Sequence, residues 1–462
     1  MKNNILIIKR KFNLFYSSPV RMIVFSFLFV ILVGALLLSL PISSKDGLST
    51  SFVDSFFTST SATCIVGLTL FDTCTKWTTF GQLVILLLIQ IGGIGLITIT
   101  IFFYVLGGKK LGLRGMHLAR ESATIIGSVN LARIFKFIII TTLSVELMGA
   151  IILSFVFIGE CGFLKGIYTA IFLSISAFCN AGIDIFGFEG LGASFLSYNN
   201  NPLVIHTIVI LVLIGDLGLI VWYDLIYNKA RGKNLLIHTK VVLIMTIILN
   251  IFGFLIFIIL EYNNPSTLQN MSLGEKINAS IFQSLILRTA GFDFINFLDM
   301  RQLTKIITTM IMFIGGAPGS TSGGIKVTTF AILCMTVVGV ITNKPDTIIL
   351  GHKVSKSIVY KALSIFFMSI LIISIGSVLV YYSVKSDAVV NITNSVIETI
   401  SAFSTAGITT GVTTSTGIWG RIFISAIMFV GRVGPISFLL SLSMKVKNES
   451  NKIFPDAKIM VY

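Results

Sequence analysis

Four glycine-ended segments recur along the chain and can be written over one another without a gap. They read SATCIVG at 61–67, SAFCNAG at 176–182, LILRTAG at 285–291 and SAFSTAG at 401–407. Their final glycines lie about 110 to 115 residues apart, which indicates one unit repeated four times. Glycine tolerates backbone angles that turn successive carbonyls to one side, and rings of such oxygens can replace the water of a dehydrated cation. We therefore predict a cation-selective filter built from four copies of this backbone.

The ligands of this filter would be backbone carbonyls, so the side chains before each glycine can vary. The candidates are the last four residues of each segment: Cys64, Ile65, Val66, Gly67, Cys179, Asn180, Ala181, Gly182, Arg288, Thr289, Ala290, Gly291, Ser404, Thr405, Ala406 and Gly407. The alternative is that the four segments are tight turns that only pack helices together.

The composition indicates that these segments lie in an integral membrane protein. Of the 462 residues, 55% are hydrophobic and 11% are charged, and the mean hydropathy of +0.95 excludes an ordinary soluble surface. Apolar runs of about 20 residues, enough to cross a hydrocarbon core of about 30 Å, begin near Met22, Phe80, Phe135, Pro202, Val241, Lys305, Ile358 and Ile418. We predict an all-α integral membrane fold with eight transmembrane spans. Four parallel span–pore-helix–span units would stand in a pseudo-four-fold arrangement around one pore.

The predicted boundaries follow from these runs. Unit 1 covers 22–106, unit 2 covers 135–228, unit 3 covers 241–342 and unit 4 covers 358–444. The remaining stretches are an N-terminus at 1–21, connectors at 107–134, 229–240 and 343–357, and a tail at 445–462. Lys and Arg concentrate in these stretches, which places them and both termini on the cytoplasmic side.

Acidic residues show the opposite bias. Asp54, Glu261 and Glu398 are among those on the proposed outer side, where they would raise the local cation concentration. The alternative is that their distribution has no functional meaning.

In each unit a short amphipathic stretch precedes the glycine segment, at 51–62, 166–177, 275–286 and 391–402. These stretches are too short to cross, so we predict re-entrant half-helices whose C-terminal carbonyls stabilise a cation. The second spans carry a further glycine repeat, at 91–95, 214–218, 314–319 and 430–434. Small residues at these positions let helices approach closely.

The sixth span contains a run that cannot remain an ordinary helix within the bilayer. It consists of Gly315, Gly316, Ala317, Pro318, Gly319, Ser320, Thr321, Ser322, Gly323 and Gly324. Such a loop must be buried against protein or line the pore. We predict that it is a gate below the filter, with a passive kink as the alternative.

Ionisable residues at membrane depth are costly and are usually functional or paired. Asp216 and Arg432 occupy the same repeat position in units 2 and 4, and Lys326 follows the loop. We predict that Asp216 partly neutralises Arg432 or Lys326, or else forms a structural ion pair away from the ion path. Arg288 would be anchored by Asp293 or Glu275, and Glu146 would satisfy helix-end or Ser/Thr partners.

These motifs resemble the four filter segments of the Trk/Ktr/HKT superfamily of bacterial potassium transporters, over essentially the whole chain. The length resembles its KtrB-type membrane subunit more than the longer TrkH type. The resemblance implies that K⁺ is bound at the filter residues named above, and glycine at position 67 favours K⁺ over Na⁺. It also implies an intramembrane gating loop at 315–324, and an arginine barrier at Arg432 that contacts it.

The resemblance further implies a homodimer in the bacterial plasma membrane that rests on a cytosolic nucleotide-binding ring of the RCK/KTN type. Sodium would act as a regulator. The chain contains no G-x-G-x-x-G unit, so nucleotide control would come from that partner. We expect no cofactor in the chain and no nucleic-acid binding, because the net charge of +15 is explained by topology and anionic membrane lipid.

Three other functions remain open at this point. A transporter of the same architecture could carry sodium or another monovalent cation. A secondary solute transporter would show inverted repeats, whereas these repeats are parallel. A membrane enzyme would need clustered nucleophiles, bases or metal ligands, and neither the four histidines nor the five cysteines have metal-ligand spacing.

Overall fold

A computed structural model describes residues 19–95, 131–186, 198, 201–227, 234–292, 294–384 and 391–442. Within these ranges the regular secondary structure is helical apart from one short hairpin. The predicted N-terminus up to residue 18, most of the connector 107–134, the tail 445–462 and Asp293 lie outside the described residues.

Units 1 and 2 each begin with a long helix followed by a shorter one that leads into the glycine segment. Unit 1 contains α1 (Pro19–Ser39), the 3₁₀ turn Pro41–Ser43, α2 (Phe52–Cys64), α3 (Thr73–Lys76) and α4 (Thr79–Ile94). Unit 2 contains α5 (Leu131–Cys161), α6 (Phe163–Phe178), α7 (Pro202–Leu217) and α8 (Leu219–Tyr227).

Units 3 and 4 repeat the same order. Unit 3 contains α9 (Ile237–Glu261), α10 (Leu273–Thr289), the 3₁₀ turn Phe297–Asp299, α11 (Gln302–Met312) and α12 (Val327–Ile341). The antiparallel strands β1 (Ile348–Ile349) and β2 (His352–Lys353) follow. Unit 4 contains α13 (Lys356–Ser383), α14 (Ile392–Ser404), α15 (Val412–Ser415), α16 (Ile418–Val433) and α17 (Pro435–Leu442).

Four helices of the described chain are long and apolar enough to cross a membrane, and each is the first span of its unit. They extend over Arg21–Ser39, Ile134–Cys161, Ile237–Glu261 and Lys356–Ser383. A fifth span exists only if α7 and α8, which are bent by 89°, count as one. Unbroken helices of the described residues therefore do not reach the eight predicted spans, because the second spans of units 2, 3 and 4 are interrupted.

Glycine causes these interruptions. Gly95, Gly218 and Gly434 end α4, α7 and α16 at φ values of 84°, 82° and 91°, a backbone region that is costly for other residues. In unit 3 the residues 313–326 separate α11 from α12. The glycine repeat of the second spans thus also ends helices, a role that the sequence analysis did not predict.

The four shorter helices α2, α6, α10 and α14 are here called the segment helices, because each leads into a glycine segment. Each packs against the first span of its own unit and against a second-span helix of the preceding unit: α2 on α16, α6 on α4, α10 on α7 and α14 on α11. These contacts form a ring, because α2 of unit 1 packs on α16 of unit 4. Buried apolar side chains form two large clusters, one centred on units 1 to 3 and one joining units 1 and 4.

A third glycine repeat, which the sequence analysis missed, lies in the first spans. A β-carbon on Gly34 would lie 2.5 Å from Ser59 Oγ, and one on Gly149 would lie 2.5 Å from Ser174 Oγ. The two hydroxyls donate to carbonyls of the first spans, Ser59 to Ile31 at 2.7 Å and Ser174 to Glu146 at 2.6 Å. These glycines therefore let the segment helix lie directly against the first span.

Candidate functional site

Three of the segment helices end in the same unusual way. The fifth residue of the first, second and fourth segments is left-handed without being glycine: Ile65 (φ 58°), Asn180 (φ 58°) and Thr405 (φ 56°). The next amide then bonds back into the helix, Val66 to Ser61 O at 2.9 Å, Ala181 to Ser176 O at 2.8 Å and Ala406 to Ser401 O at 2.9 Å. Such residues cost about 1–3 kcal/mol each and persist only when their surroundings fix them. The backbone is therefore turned sharply at a defined point just before each glycine.

The four glycines meet at their backbones. A β-carbon on Gly67 would lie 2.7 Å from the carbonyl oxygen of Ala181, and one on Gly291 would lie 2.7 Å from that of Ala406. A β-carbon on Gly182 would overlap the Ala290 carbonyl, and one on Gly407 would overlap the Val66 carbonyl. Each glycine thus abuts the residue before the next glycine, and segments 1 to 4 form a closed circuit. Only glycine fits at these positions, because each also has a positive φ.

The second-span glycines lie directly behind this circuit. β-Carbons on Gly92, Gly215 and Gly431 would overlap carbonyl oxygens at the ends of the segment helices: Thr63, Phe178 and Phe403. These three carbonyls occupy the same position in their segments. The predicted role of small residues in close helix approach is confirmed here, and the atoms approached are the carbonyls two residues before each left-handed residue.

The third segment departs from this pattern. Its helix continues through Thr289, Ala290 is right-handed, and Gly291 at φ 67° is its first left-handed residue. The Gly291 amide donates to Ile286 O at 3.4 Å. Gly315, which corresponds to Gly92, abuts the Gly323 carbonyl of the 315–324 loop instead of the end of a segment helix.

Arg288 in this segment forms an ion pair with Asp216 of α7, and both side chains are 1% exposed. Of its two predicted anchors, Glu275 is not the observed partner, and Asp293 lies outside the described residues. Glu275 instead caps the start of α10, where it accepts from the Ser272 amide at 2.8 Å. The pair forms because the last turn of α10 packs on α7 of the preceding unit.

The 315–324 loop is buried against the glycine segments. Its ends are joined by the Gly315 amide, which donates to Ile325 O at 2.8 Å. The Gly323 amide donates to Thr405 Oγ1 at 2.7 Å, so the loop contacts the fourth segment at its left-handed residue. Ser322 Oγ donates to Asp216 Oδ1 at 3.0 Å.

Arg432 and Lys326 hold the loop through its carbonyls. Arg432 donates to Thr321 O through Nη1 and to Gly92 O through Nη2, the latter at 2.7 Å. Lys326 Nζ donates to Ser322 O at 2.5 Å. The prediction that Asp216 pairs with Arg432 or Lys326 is wrong, because both cations are satisfied by backbone oxygens and Asp216 faces Arg288.

Two carboxylates that the sequence analysis placed on the outer surface are fully buried. Glu398 accepts from Thr410 N at 2.8 Å and from Thr409 Oγ1 at 2.7 Å, and Thr413 bonds it through both its amide and its hydroxyl. Glu261 accepts from the Arg301 amide at 2.9 Å and from the Thr304 hydroxyl. These side chains fix the chain around the segments and do not form an acidic outer surface. The sequence signal that could have predicted their burial is the presence of an acidic residue within an apolar helix.

Glu146 also contacts the site. Its carboxylate accepts from Gln90 Nε2 at 3.0 and 3.1 Å, and Cys179 Sγ of the second segment lies 3.8 Å away. Its partners are thus a glutamine amide and a thiol instead of the predicted helix end or Ser/Thr hydroxyl. It links α5, α4 and the second segment.

A bundle of long apolar helices around a circuit of backbone carbonyls defines a multi-pass membrane transport protein, and its relatives agree. The chain belongs to the TrkH family of cation transport proteins, whose sequence model matches residues 10–454. The family resemblance expected from the segments is confirmed, and its members are transporters and not enzymes.

Two curated relatives cover nearly the whole chain. The Ktr system potassium uptake protein B of Bacillus subtilis is 36% identical over 96% of this chain and 96% of its own. The potassium/sodium uptake protein NtpJ of Enterococcus hirae is 35% identical over 96% of this chain and 97% of its own. The crystal structure of the potassium transporter TrkH from Vibrio parahaemolyticus has a similar fold, with a TM-score of 0.68 at 20% identity, over 90% of this chain and 84% of that one.

Proposed function

We propose that this chain carries K⁺ into a bacterial cell across the plasma membrane, through a filter lined by backbone carbonyls. The observation that carries the proposal is the closed circuit of glycine segments, in which every glycine abuts a carbonyl of the next segment. The Bacillus subtilis relative is named as a potassium uptake protein, which agrees with this ion.

The filter would be formed by four span–pore-helix–span units in pseudo-four-fold array, with eight passages through the membrane. The cyclic packing of each segment helix on the preceding unit supports this arrangement. Each segment helix directs its C-terminal carbonyls toward the circuit, where the helix dipole stabilises a cation. The ligands are the carbonyls of residues 64–67, 179–182, 288–291 and 404–407.

The gate of this pathway is the 315–324 loop, together with Lys326, Arg432 and Asp216. The position of the loop supports this role, because it contacts the second unit through Asp216 and the fourth segment through Thr405. Two cationic side chains bind its carbonyls and add positive charge to the cation path. Opening requires the loop to leave these contacts.

The chain would work as a homodimer on a cytosolic RCK/KTN-type nucleotide-binding ring, with both termini on the cytoplasmic side. The name of the Bacillus relative, which describes it as protein B of a system, supports a multi-component assembly. Membrane lipid covers the exposed apolar side chains of the first spans, among them Phe29, Phe155 and Phe367.

Sodium is the second candidate ion, either carried or regulatory. The Enterococcus hirae relative is named for both potassium and sodium uptake. The family resemblance implies that glycine at position 67 favours K⁺, and a β-carbon there would lie 2.7 Å from the Ala181 carbonyl oxygen.

The experiment is potassium-limited growth of a transporter-deficient bacterium that expresses this chain, with radioactive Rb⁺ uptake and Na⁺ competition. Rescue of growth that weakens or shifts toward Na⁺ with Gly67→Ser supports the proposal. A chain that reaches the membrane with its matching cytosolic subunit and still takes up neither Rb⁺ nor Na⁺ refutes it.

A further inference from the structure

Asp216 is a buried carboxylate whose two oxygens serve two different elements. One oxygen, Oδ2, pairs with Nη2 of Arg288 in the third glycine segment. The other, Oδ1, accepts from Ser322 Oγ of the 315–324 loop at 3.0 Å. One side chain of α7 therefore touches both the segment and the loop.

The backbone around Asp216 also supports the loop. The Ala317 amide donates to Asp216 O at 3.1 Å, and the Thr321 amide approaches Gly215 O at 3.4 Å. Within the loop, the Gly316 amide donates to Ser322 Oγ at 3.0 Å. A β-carbon on Gly316 would overlap both Asp216 Oδ1 and Ser322 Oγ, so the glycine makes room for the carboxylate.

The charge of Arg288 explains why an acid is needed at this place. The corresponding residues of the other segments, Cys64, Cys179 and Ser404, are neutral. Among the described residues Asp216 is the acidic side chain that contacts Arg288, and Arg288 Nε and Nη1 have no protein acceptor there. A buried guanidinium without its counter-charge would place an uncompensated positive charge in the wall of a cation filter.

We propose that Asp216 couples the third filter segment to the gating loop, so that the position of the loop alters the ion preference of the filter. The inference rests on the proposed function of both elements. When the loop leaves, Asp216 loses the Ser322 hydrogen bond and interacts with Arg288 alone. The electrostatic environment of the third segment then changes with the state of the gate, and by reciprocity the ion in the filter biases the loop.

The test measures how K⁺ and Na⁺ each raise the melting temperature of the purified full-length chain, since a ligand stabilises the state that binds it. The dissociation constants of the two ions give a preference ratio that does not depend on transport. Ser322→Ala removes the loop hydroxyl from Asp216 and leaves the ion pair intact. We expect it to change the ratio by about five-fold or more.

The same serine change is then made in an Asp216→Asn background, where it is expected to have no further effect on the ratio. If Asp216→Asn does not fold, the double variant Asp216→Asn/Arg288→Gln supplies a neutral, hydrogen-bonding pair for the same comparison. Two buried groups outside the site serve as matched controls: Ser369 of α13, changed to alanine, and Asp224 of α8, changed to asparagine. Neither control should change the ratio.

Each outcome decides the question. An unchanged ratio in Ser322→Ala, or an equal change in both backgrounds, overturns the coupling while leaving the filter intact. A wild-type chain whose melting temperature responds to neither ion and which takes up neither ion overturns the proposed function, and the coupling with it.

Discussion

The third glycine segment and the other three differ in how the backbone turns before the final glycine. In the others, a strained non-glycine residue turns the chain, and a second-span glycine abuts the carbonyl two residues before it. In the third, the helix extends one or two residues further, glycine alone makes the turn, and the second-span glycine Gly315 abuts the 315–324 loop. A neutral side chain in the others is exchanged for Arg288, whose charge Asp216 neutralises.

This difference shows what four repeats on one chain allow. In a pore of four identical subunits, any change to one segment appears in all four. Here the second-span glycine of unit 3 abuts a loop, while those of the other three units abut the ends of the segment helices. The proposed gate could therefore arise in one quarter of the circuit without disturbing the rest.

The largest effect is expected from a side chain in the circuit itself. Gly407→Ala would place a β-carbon on the Val66 carbonyl at a positive φ. Strain of about 1–3 kcal/mol corresponds to about a 5- to 150-fold loss of apparent K⁺ affinity. The half-saturating concentration for Rb⁺ uptake measures it.

Gly411→Ala is the matched control for this change. Gly411 also has a positive φ, at 81°, but its β-carbon would have open space around it. It should alter stability but not ion affinity. Equal loss of affinity in both variants would mean that backbone strain, and not position in the circuit, is responsible.

A second pair of variants compares the corresponding second-span glycines of units 3 and 4. Gly431→Ala would collide with the Phe403 carbonyl at the end of a segment helix, whereas Gly315→Ala would collide with Gly323 in the loop. We expect Gly431→Ala to weaken K⁺ affinity about ten-fold, given strain of about 1–2 kcal/mol. Gly315→Ala should change the maximal uptake rate much more than the affinity. If the two variants have indistinguishable uptake kinetics, the second-span glycines of units 3 and 4 do not have different roles.

The chain just after each segment is also held differently in the two regions. Glu398 binds Thr409, Thr410 and Thr413 after the fourth segment. After the third segment, Phe294 packs against Phe282 of α10 with a centroid distance of 4.7 Å and an interplanar angle of 38°. Glu398→Gln should destabilise the protein by about 1.5–3 kcal/mol, because it weakens hydrogen bonds to a charged acceptor. Thermal unfolding in detergent measures the loss. An unchanged midpoint would show that the threonines bond equally well to a neutral amide.

The smallest effect is expected at the partly exposed ion pair between Asp54 of α2 and Arg421 of α16. It joins units 1 and 4 as the buried Asp216–Arg288 pair joins units 2 and 3. Because its side chains are 13% and 24% exposed, Asp54→Asn should cost no more than about 1 kcal/mol. The cost should shrink as salt is added to the unfolding assay. A larger, salt-independent loss would place this pair in the same class as the buried one.

The sequence correctly predicted close backbone contacts at positions where the backbone accepts only one residue type. The glycines of the segments and of the second spans could be aligned and assigned to close backbone contacts, because no other residue fits such positions. The same alignment did not reveal that Gly218 bends its span by 89°, since 202–227 reads as one continuous apolar run. Nor could it reveal a left-handed Ile65, because a β-branched residue is disfavoured in that conformation and is retained only by its tertiary surroundings.

Side-chain partners between units were the least predictable. Asp216 and Arg288 are 72 positions apart (288 − 216) and belong to different repeats. Their contact depends on which second span packs against which segment helix. Glu398 was misplaced for a similar reason, since the threonines that bury it follow the segment in a loop with no periodic signal.

The interrupted second spans also bear on how the chain enters the membrane. First spans of 19 to 28 residues can leave the insertion machinery individually, because each satisfies its own backbone in lipid. Half-length helices such as α7, α11 and α16 cannot leave individually, because the polar backbone at their breaks must first be paired with other parts of the protein. Because α16 packs on α2, the last unit made must meet the first unit before either is complete. Integration of this protein is therefore expected to finish as one cooperative event after synthesis of unit 4, with units 1 to 3 held until then in an unfinished state.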